Sequence, residues 1–373
     1  MKIDFYKHNI GHEEIRAVNA VLKTLFLTTG PQTKQFEQNL AAYLGVRYSV
    51  GVTSWTMGGL ITLAAFGIGP GDEVITSPLT FIATSNIILN LGATPVFVDV
   101  EADSGNINAD LIEAAITPKT KAIIPVHLYG QMCDMKKIRA IADKHKLVVI
   151  EDAAHCIEGI RDGVRPGQLG DAAVFSFYTT KNITSGEGGA IATNHAHIAE
   201  KLVVLRSHGM SKSAADRYTS KYQHWDMELL GYKCNMFDIQ AALLIPQLKK
   251  IDGYLAKKER ICRKYEKAFS KIKDISFPKV LPNSRHARHI FTIWVPPEKR
   301  DAFLSALQEK EIGVAVNFRA VHLLSYYKNR FGFKPGTFPE AERIGNSTIT
   351  IPMYPKMTKA EIDSVIASVS AIH

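Results

Sequence analysis

The sequence predicts an α/β protein: a large domain on a mostly parallel sheet, then a smaller α+β domain. Three observations carry this. Strand-type and helix-type apolar patterns alternate through the first two-thirds of the chain, the arrangement that covers both faces of a parallel sheet with helices. A chain of 373 residues with 46% hydrophobic content can bury a large core and more than one domain. The composition shifts near Asp252, where a long helical pattern leads out of the alternating region. The expected division is 1–250 for the large domain and 251–373 for the small one.

The elements follow in order. Glu13–Leu25 and Thr33–Leu44 carry apolar residues at three- and four-residue spacing and read as helices. Tyr48–Val52, Glu73–Thr76, Thr94–Val98, Lys121–Val126 and Leu147–Ile150 are short β-rich runs. Helical segments separate them: Met57–Phe66, Phe81–Leu91, Ala109–Ile116 and Asp134–His145. Gly69-Pro-Gly-Asp72 is a turn before a strand. A buried strand ends near Ser176, and Ala190–Thr193 is its return. Residues 235–270 read as one or two long helices. Beyond them, His289–Val295 and Thr348–Ile351 are strands, Asp301–Glu311 is a helix, and residues 359–372 form a closing helix.

Bulk properties exclude some classes. Met1-Lys-Ile-Asp-Phe-Tyr6 has no apolar signal core, and no apolar run reaches membrane-spanning length. Cys133, Cys156, Cys234 and Cys262 lack paired spacing, which argues against a disulfide framework or a metal site and for a reducing cytoplasm. The net charge of +9 admits a nucleic-acid partner. Its basic residues, however, concentrate between Lys249 and Lys279 among acids at helical spacing, the pattern of a solvated helix face.

The chemistry-bearing segment is Val174-Phe-Ser-Phe-Tyr-Thr-Thr-Lys181-Asn-Ile-Thr-Ser-Gly-Glu-Gly-Gly189. It places a lysine between two strands beside glycines. A desolvated lysine amine can lose its proton and condense with an aldehyde cofactor; the plainer reading is a surface lysine in a glycine-containing loop. The run Leu147-Val-Val-Ile-Glu-Asp152-Ala-Ala-His155 ends in acids and a histidine. Ligand groups gather beyond the carboxyl ends of parallel strands. A pyridoxal cofactor needs a lysine and a carboxylate; the plainer reading of Asp152 is a helix cap.

Five blocks in order resemble the DegT/StrS family of pyridoxal-phosphate-dependent nucleotide-sugar aminotransferases: Ser54-Trp-Thr56, Pro78-Leu-Thr-Phe81, Glu151-Asp-Ala-Ala-His155, Ser176 to Lys181 with Gly186-Glu-Gly-Gly189, and Gly231-Tyr-Lys-Cys-Asn-Met-Phe-Asp-Ile-Gln-Ala-Ala242. The resemblance runs from Gly30-Pro31 to Pro355. It implies an aspartate-aminotransferase-like (type I) fold, with the site between domains and at a homodimer interface. It implies Lys181 and Asp152 as catalytic residues. Thr56, the Met57 amide and Ser176 would hold the cofactor phosphate, Phe81 would stack on the ring, and His155 would face it. Asn235, favoured over Lys233, would reach the partner's phosphate. Arg319, His322 and Tyr178 would line the sugar-nucleotide pocket. Trp55 replaces the family's usual small residue, which either reshapes the phosphate loop or puts an indole at the substrate mouth.

The implied reaction moves an amino group from glutamate to a nucleotide-linked 4-keto-sugar, for surface polysaccharide or glycan assembly. The Thr-Thr-Lys and Gly-Glu-Gly-Gly wording resembles the C4 branch. A C3 aminotransferase of the same family is the nearest alternative, and a non-catalytic cofactor- or sugar-binding regulator is the alternative of another class.

Overall fold

The computed structural model describes residues 1–211 and 224–372. The elements through the large sheet's last strand are α1 (His12–Val21), α2 (Pro31–Leu44), β1 (Tyr48–Val52), α3 (Trp55–Ala65), β2 (Glu73–Thr76), α4 (Ala83–Asn90), β3 (Thr94–Phe97), α5 (Ala109–Ile112), β4 (Thr120–Ile124), α6 (Met135–His145), β5 (Val148–Asp152), β6 (Ile160–Arg161), β7 (Ala172–Ser176) and β8 (Gly189–Thr193). There follow α7 (Ala196–Leu205), α8 (Asp238–Phe269), β9 (Ser284–Arg285), β10 (Phe291–Trp294), α9 (Arg300–Glu309), α10 (Ser325–Phe331), α11 (Pro339–Ser347), β11 (Thr348–Ile351) and α12 (Lys359–Ile372).

Seven strands form one sheet in the order β1-β8-β7-β5-β4-β2-β3. Only β8 runs against its neighbours, pairing antiparallel with β1 and β7, while β7, β5, β4, β2 and β3 pair in parallel. Helices on both faces bury the Val, Ile and Ala side chains of these strands.

Most predicted elements are present with shifted ends. The first helix stops at Val21 rather than Leu25, because the Thr24 hydroxyl and amide both donate to the Val21 carbonyl. β5 runs on to Asp152, whose amide donates to the Pro125 carbonyl and whose carbonyl accepts from His127. The pattern at 235–270 is one helix of 32 residues with Pro246 inside it. An interior proline costs about 3 kcal/mol, but Leu244, Leu248 and Ile251 around it are buried in the large core.

That helix also joins the two cores. Leu244 to Ile251 pack under the large sheet, and Ile261, Cys262, Tyr265 and Phe269 pack with Phe291, Ile293, Ile349 and Ile351 of the small antiparallel pair β10–β11. Position 250 therefore lies inside a continuous helix. The chain's first residues join the second core, where Ile3 is buried and bridges to Ile312. The α8 start is tied to α2, since the Asp238 carboxylate accepts from the Gly30, Gln32 and Thr33 amides and from the Thr33 hydroxyl. This satisfies donors at the α2 N-terminus, where negative charge is favoured.

The close approach that shapes the site is at Gly189. A Cβ there would lie 2.5 Å from the Ser54 carbonyl carbon and 2.8 Å from the Trp55 nitrogen. Glycine lets β8 pass directly under the start of α3. Replacing Gly189 with Ala should push α3 off the sheet and cost about 1–3 kcal/mol, read as a lower midpoint in denaturant unfolding; an unchanged midpoint would show that this contact is slack.

Candidate active site

The sheet register brings the predicted residues to one edge. β5 and β7 are parallel neighbours with Asp152 opposite Val174; β7 and β8 pair with Ser176 opposite Gly189; and β8 and β1 pair with Gly189 opposite Val52. Asp152, Ser176, the β7–β8 connection holding Lys181, and the Ser54 loop after β1 thus follow one another along the carboxyl edge. Neighbouring strands lie about 4.8 Å apart, so these groups occupy one cofactor-sized span. β2 ends at the same edge and delivers Pro78 to Phe81.

Asp152 is 5% exposed. Its carboxylate accepts from the Thr84 hydroxyl at 2.8 Å and from the Ala154 amide at 3.2 Å. Burial raises its pKa, while Thr84, Ala154 and the Lys181 charge pull it back. Lys181 is part-buried. Desolvation of its amine lowers its pKa to about 8, with Asp152 opposing. Its backbone is held at both ends: its amide donates to Tyr178, and its carbonyl accepts from the Tyr6 hydroxyl at 3.1 Å.

His155 is buried and its Nδ1 accepts from the Tyr129 amide at 3.3 Å. Its ring stacks with His289, 4.3 Å away and 25° from parallel, and with Phe318, 5.8 Å away and 13° from parallel. Phe318 also meets Phe81 at 5.9 Å. Phe81 is exposed.

The α3 N-terminus is capped by Ser54, whose hydroxyl accepts from the Met57 amide at 3.1 Å. This corrects the assignment of Met57, because its N–H is already used inside the turn. The Trp55 and Thr56 amides, in contrast, have no protein acceptor among the described residues, and Thr56 is exposed. They are the free donors of this helix start. Trp55 does not line a substrate mouth: it is 7% exposed, packs in the core, and donates its indole N–H to the Val174 carbonyl. That carbonyl also accepts from Ala153, so the indole steadies the backbone beside Asp152.

Ser176 is part-buried, with its hydroxyl accepting from the Tyr178 amide at 3.4 Å. The Tyr178 side chain is exposed. Asn235 bridges to Val52, which puts it beside the Ser54 loop of its own chain; its Nδ2 donates to Thr28 and Thr29, and its buried Oδ1 has no partner. Lys233 is exposed. Arg319 is exposed beside Phe318 and has no acid partner among the described residues. His322 is a correction: it is fully buried, its Nε2 is 2.9 Å from Glu342, and Phe333 and Phe338 enclose it. It orders the loop before α11 and offers nothing to a sugar.

Several residues here carry no obvious signal in the sequence. Thr84 lies three positions after Phe81, one helical turn on, which was a usable clue. Tyr6, Tyr129, His289 and Phe318 arrive from distant segments.

Comparison with known proteins agrees with this geometry. The DegT/DnrJ/EryC1/StrS aminotransferase family matches residues 8–370. The spore coat polysaccharide biosynthesis protein SpsC of Bacillus subtilis is 44% identical over 369 residues, 97% of this chain and 95% of its own. A putative sugar aminotransferase from Streptococcus pneumoniae superposes with a TM-score of 0.93 in its PLP form, at 30% identity over 100% of this chain and 98% of its own. S. venezuelae DesV, solved with a ketimine intermediate, superposes with a TM-score of 0.89 at 33% identity, over 96% of this chain and 94% of its own. The fold is the type I aminotransferase fold. The chain belongs to the DegT/DnrJ/EryC1/StrS aminotransferase family and is a pyridoxal-phosphate-dependent sugar aminotransferase.

Proposed function

We propose that this enzyme moves an amino group from glutamate to C4 of a nucleoside-diphosphate-linked 4-keto-6-deoxy sugar, for a surface polysaccharide or glycan. The observation that carries the reading is the low-pKa Lys181 amine sharing one buried edge with Asp152. The residues present fit pyridoxal phosphate. Free amides of Trp55 and Thr56 suit its phosphate, with Ser176 alongside. Asp152 suits its ring nitrogen, His155 its ring oxygen, and Phe81 its ring face.

When bound, the cofactor supplies an electron sink that stabilises negative charge at the donor α-carbon. The protein does the proton work. Asp152 is held ready by Thr84 and Ala154 to keep a proton on the ring nitrogen. Lys181 Nζ, neutral in an appreciable fraction near neutral pH, takes the donor α-proton. In the return half it delivers a proton to the sugar carbon that gains nitrogen. Arg319, exposed and without an acid partner among the described residues, suits the diphosphate, and the exposed Tyr178 suits the sugar.

The active unit in this reading is a homodimer. Leu22, Leu25, Leu27 and Phe237 are exposed, and Thr28 beside them holds both Asn235 and Asp238. A second copy covering these apolar groups would put each Asn235 at the shared boundary. All four cysteines are free and buried, which suits a reducing cytoplasm. Among the described residues no helix is long and apolar enough to cross a membrane.

Lys181→Ala should abolish turnover and the visible band that pyridoxal phosphate gives in the wild type; turnover near the wild-type rate would end this reading. Thr84→Val leaves Asp152 short of a donor and should weaken cofactor binding about tenfold, measured by cofactor titration. Arg319→Ala should raise KM for the nucleotide sugar about tenfold or more while KM for glutamate holds; equal rises would move Arg319 to the donor site.

A further inference from the structure

The connection that carries Lys181 has no regular structure of its own. Residues 177–188 lie between β7 and β8 and form neither helix nor strand, so contacts set their path. Some of these lie within the segment. The Thr184 hydroxyl and the Ser185 amide donate to the Phe177 carbonyl, and the Phe177 amide donates to the Gly188 carbonyl. The others come from outside it, and α8 supplies most of them.

Gln247, on α8, is 1% exposed. Its Oε1 accepts from the Thr184 amide at 3.1 Å. Its Nε2 donates to the Thr184 carbonyl at 2.7 Å and to the Leu243 carbonyl at 2.6 Å. Backbone carbonyls only accept and a backbone amide only donates, so one orientation of this carboxamide satisfies all three. The Thr184 backbone is thus paired at both its groups, as a neighbouring strand would pair it. Thr184 is itself 1% exposed, which leaves those groups no water to turn to without Gln247. Two turns earlier on the helix, Gln240 Nε2 donates to the Glu187 carbonyl at 2.7 Å, while its Oε1 accepts from the Phe237 amide. Two glutamines of one helix therefore grip the connection between the lysine and β8.

We propose that Gln247 is a positioning residue for Lys181. It fixes the backbone three residues beyond the lysine and so sets the path of the connection that keeps the Lys181 amine out of water. The proposal rests on Lys181 being the amine that serves the cofactor. The helix that bears Gln247 continues to Ile261, Tyr265 and Phe269 in the small core. The lysine connection is fastened to the same rod as the second core.

The test uses the full-length protein without cofactor. One readout is the pH midpoint for labelling Lys181 with an amine-reactive reagent, resolved by peptide mass spectrometry. The other is hydrogen-exchange protection at the Thr184 amide. Gln247→Met keeps the side-chain length but removes the amide donor and the carbonyl oxygen. Protection at Thr184 should fall about tenfold or more. The labelling midpoint should rise by about one pH unit toward that of a solvated lysine. Ile251→Ala, one turn further along α8, opens the large core without touching Thr184; it should leave the midpoint at the wild-type value. Gln247→Glu makes the comparison inside one protein. Its protonated carboxyl still accepts from the Thr184 amide and donates to a carbonyl, whereas its ionised form sets only acceptors against two carbonyls. Protection should be near wild type at low pH and be lost as the pH climbs through the raised pKa of that buried carboxyl, so this variant carries the test if Gln247→Met does not fold. In the holoenzyme, Gln247→Met should lower kcat about tenfold while both KM values stay within about twofold. A wild-type midpoint in Gln247→Met, equal shifts in Gln247→Met and Ile251→Ala, or a Gln247→Glu that follows the wild type at every pH overturns the proposal. Full turnover in Lys181→Ala would instead remove Lys181 from the reaction and leave the Thr184 exchange result standing.

Discussion

The site depends on confining an amine and a carboxyl in one water-poor space. Desolvation pushes the two groups in opposite directions, Lys181 down and Asp152 up, and their mutual attraction pushes each back. In open solvent both would sit at ordinary values, and Lys181 would be almost wholly protonated near neutral pH. Confinement gives a lysine that can exchange protons and a carboxyl that responds to positive charge placed near it.

The sheet supplies the confinement. Parallel strands β5 and β7 end side by side, and the reversal into β8 turns the chain back over that edge, leaving Lys181 at the turn. The absent side chain of Gly189 lets the α3 start sit against the same strand. The free amides at the α3 start then lie against the strand that follows the lysine connection. Trp55, filling the core below and bonded to Val174, stiffens the strand ends from underneath.

The second core takes part in this arrangement. Tyr6, from the segment whose Ile3 packs in the small core, donates to the Lys181 carbonyl. His289, just before β10, pairs with Asn182 and stacks on His155. Phe318 joins the same aromatic group from beyond α9. The continuous helix α8, buried in both cores, holds these contributions at a set distance, because an uninterrupted helix transmits position along its length.

By itself the sequence determined the alternation of strands and helices, the place of Asp152 at a strand end and that of Lys181 between two strands. Each follows from local rules: side-chain period, turn chemistry and the tendency of polar groups to follow apolar strands. Tertiary structure alone decided the rest. It sent Trp55 inward, because the core between α3 and α4 had room for an indole and a carbonyl to receive its N–H. It buried His322 against Glu342, since a carboxylate from α11 and two phenylalanines closed over it. It brought His289 to His155 across more than a hundred residues, and no periodicity encodes a contact of that range. Local sequence sets which groups a segment offers; only the packing of distant segments sets which of them face water, which face each other, and which nitrogen of a ring carries the proton.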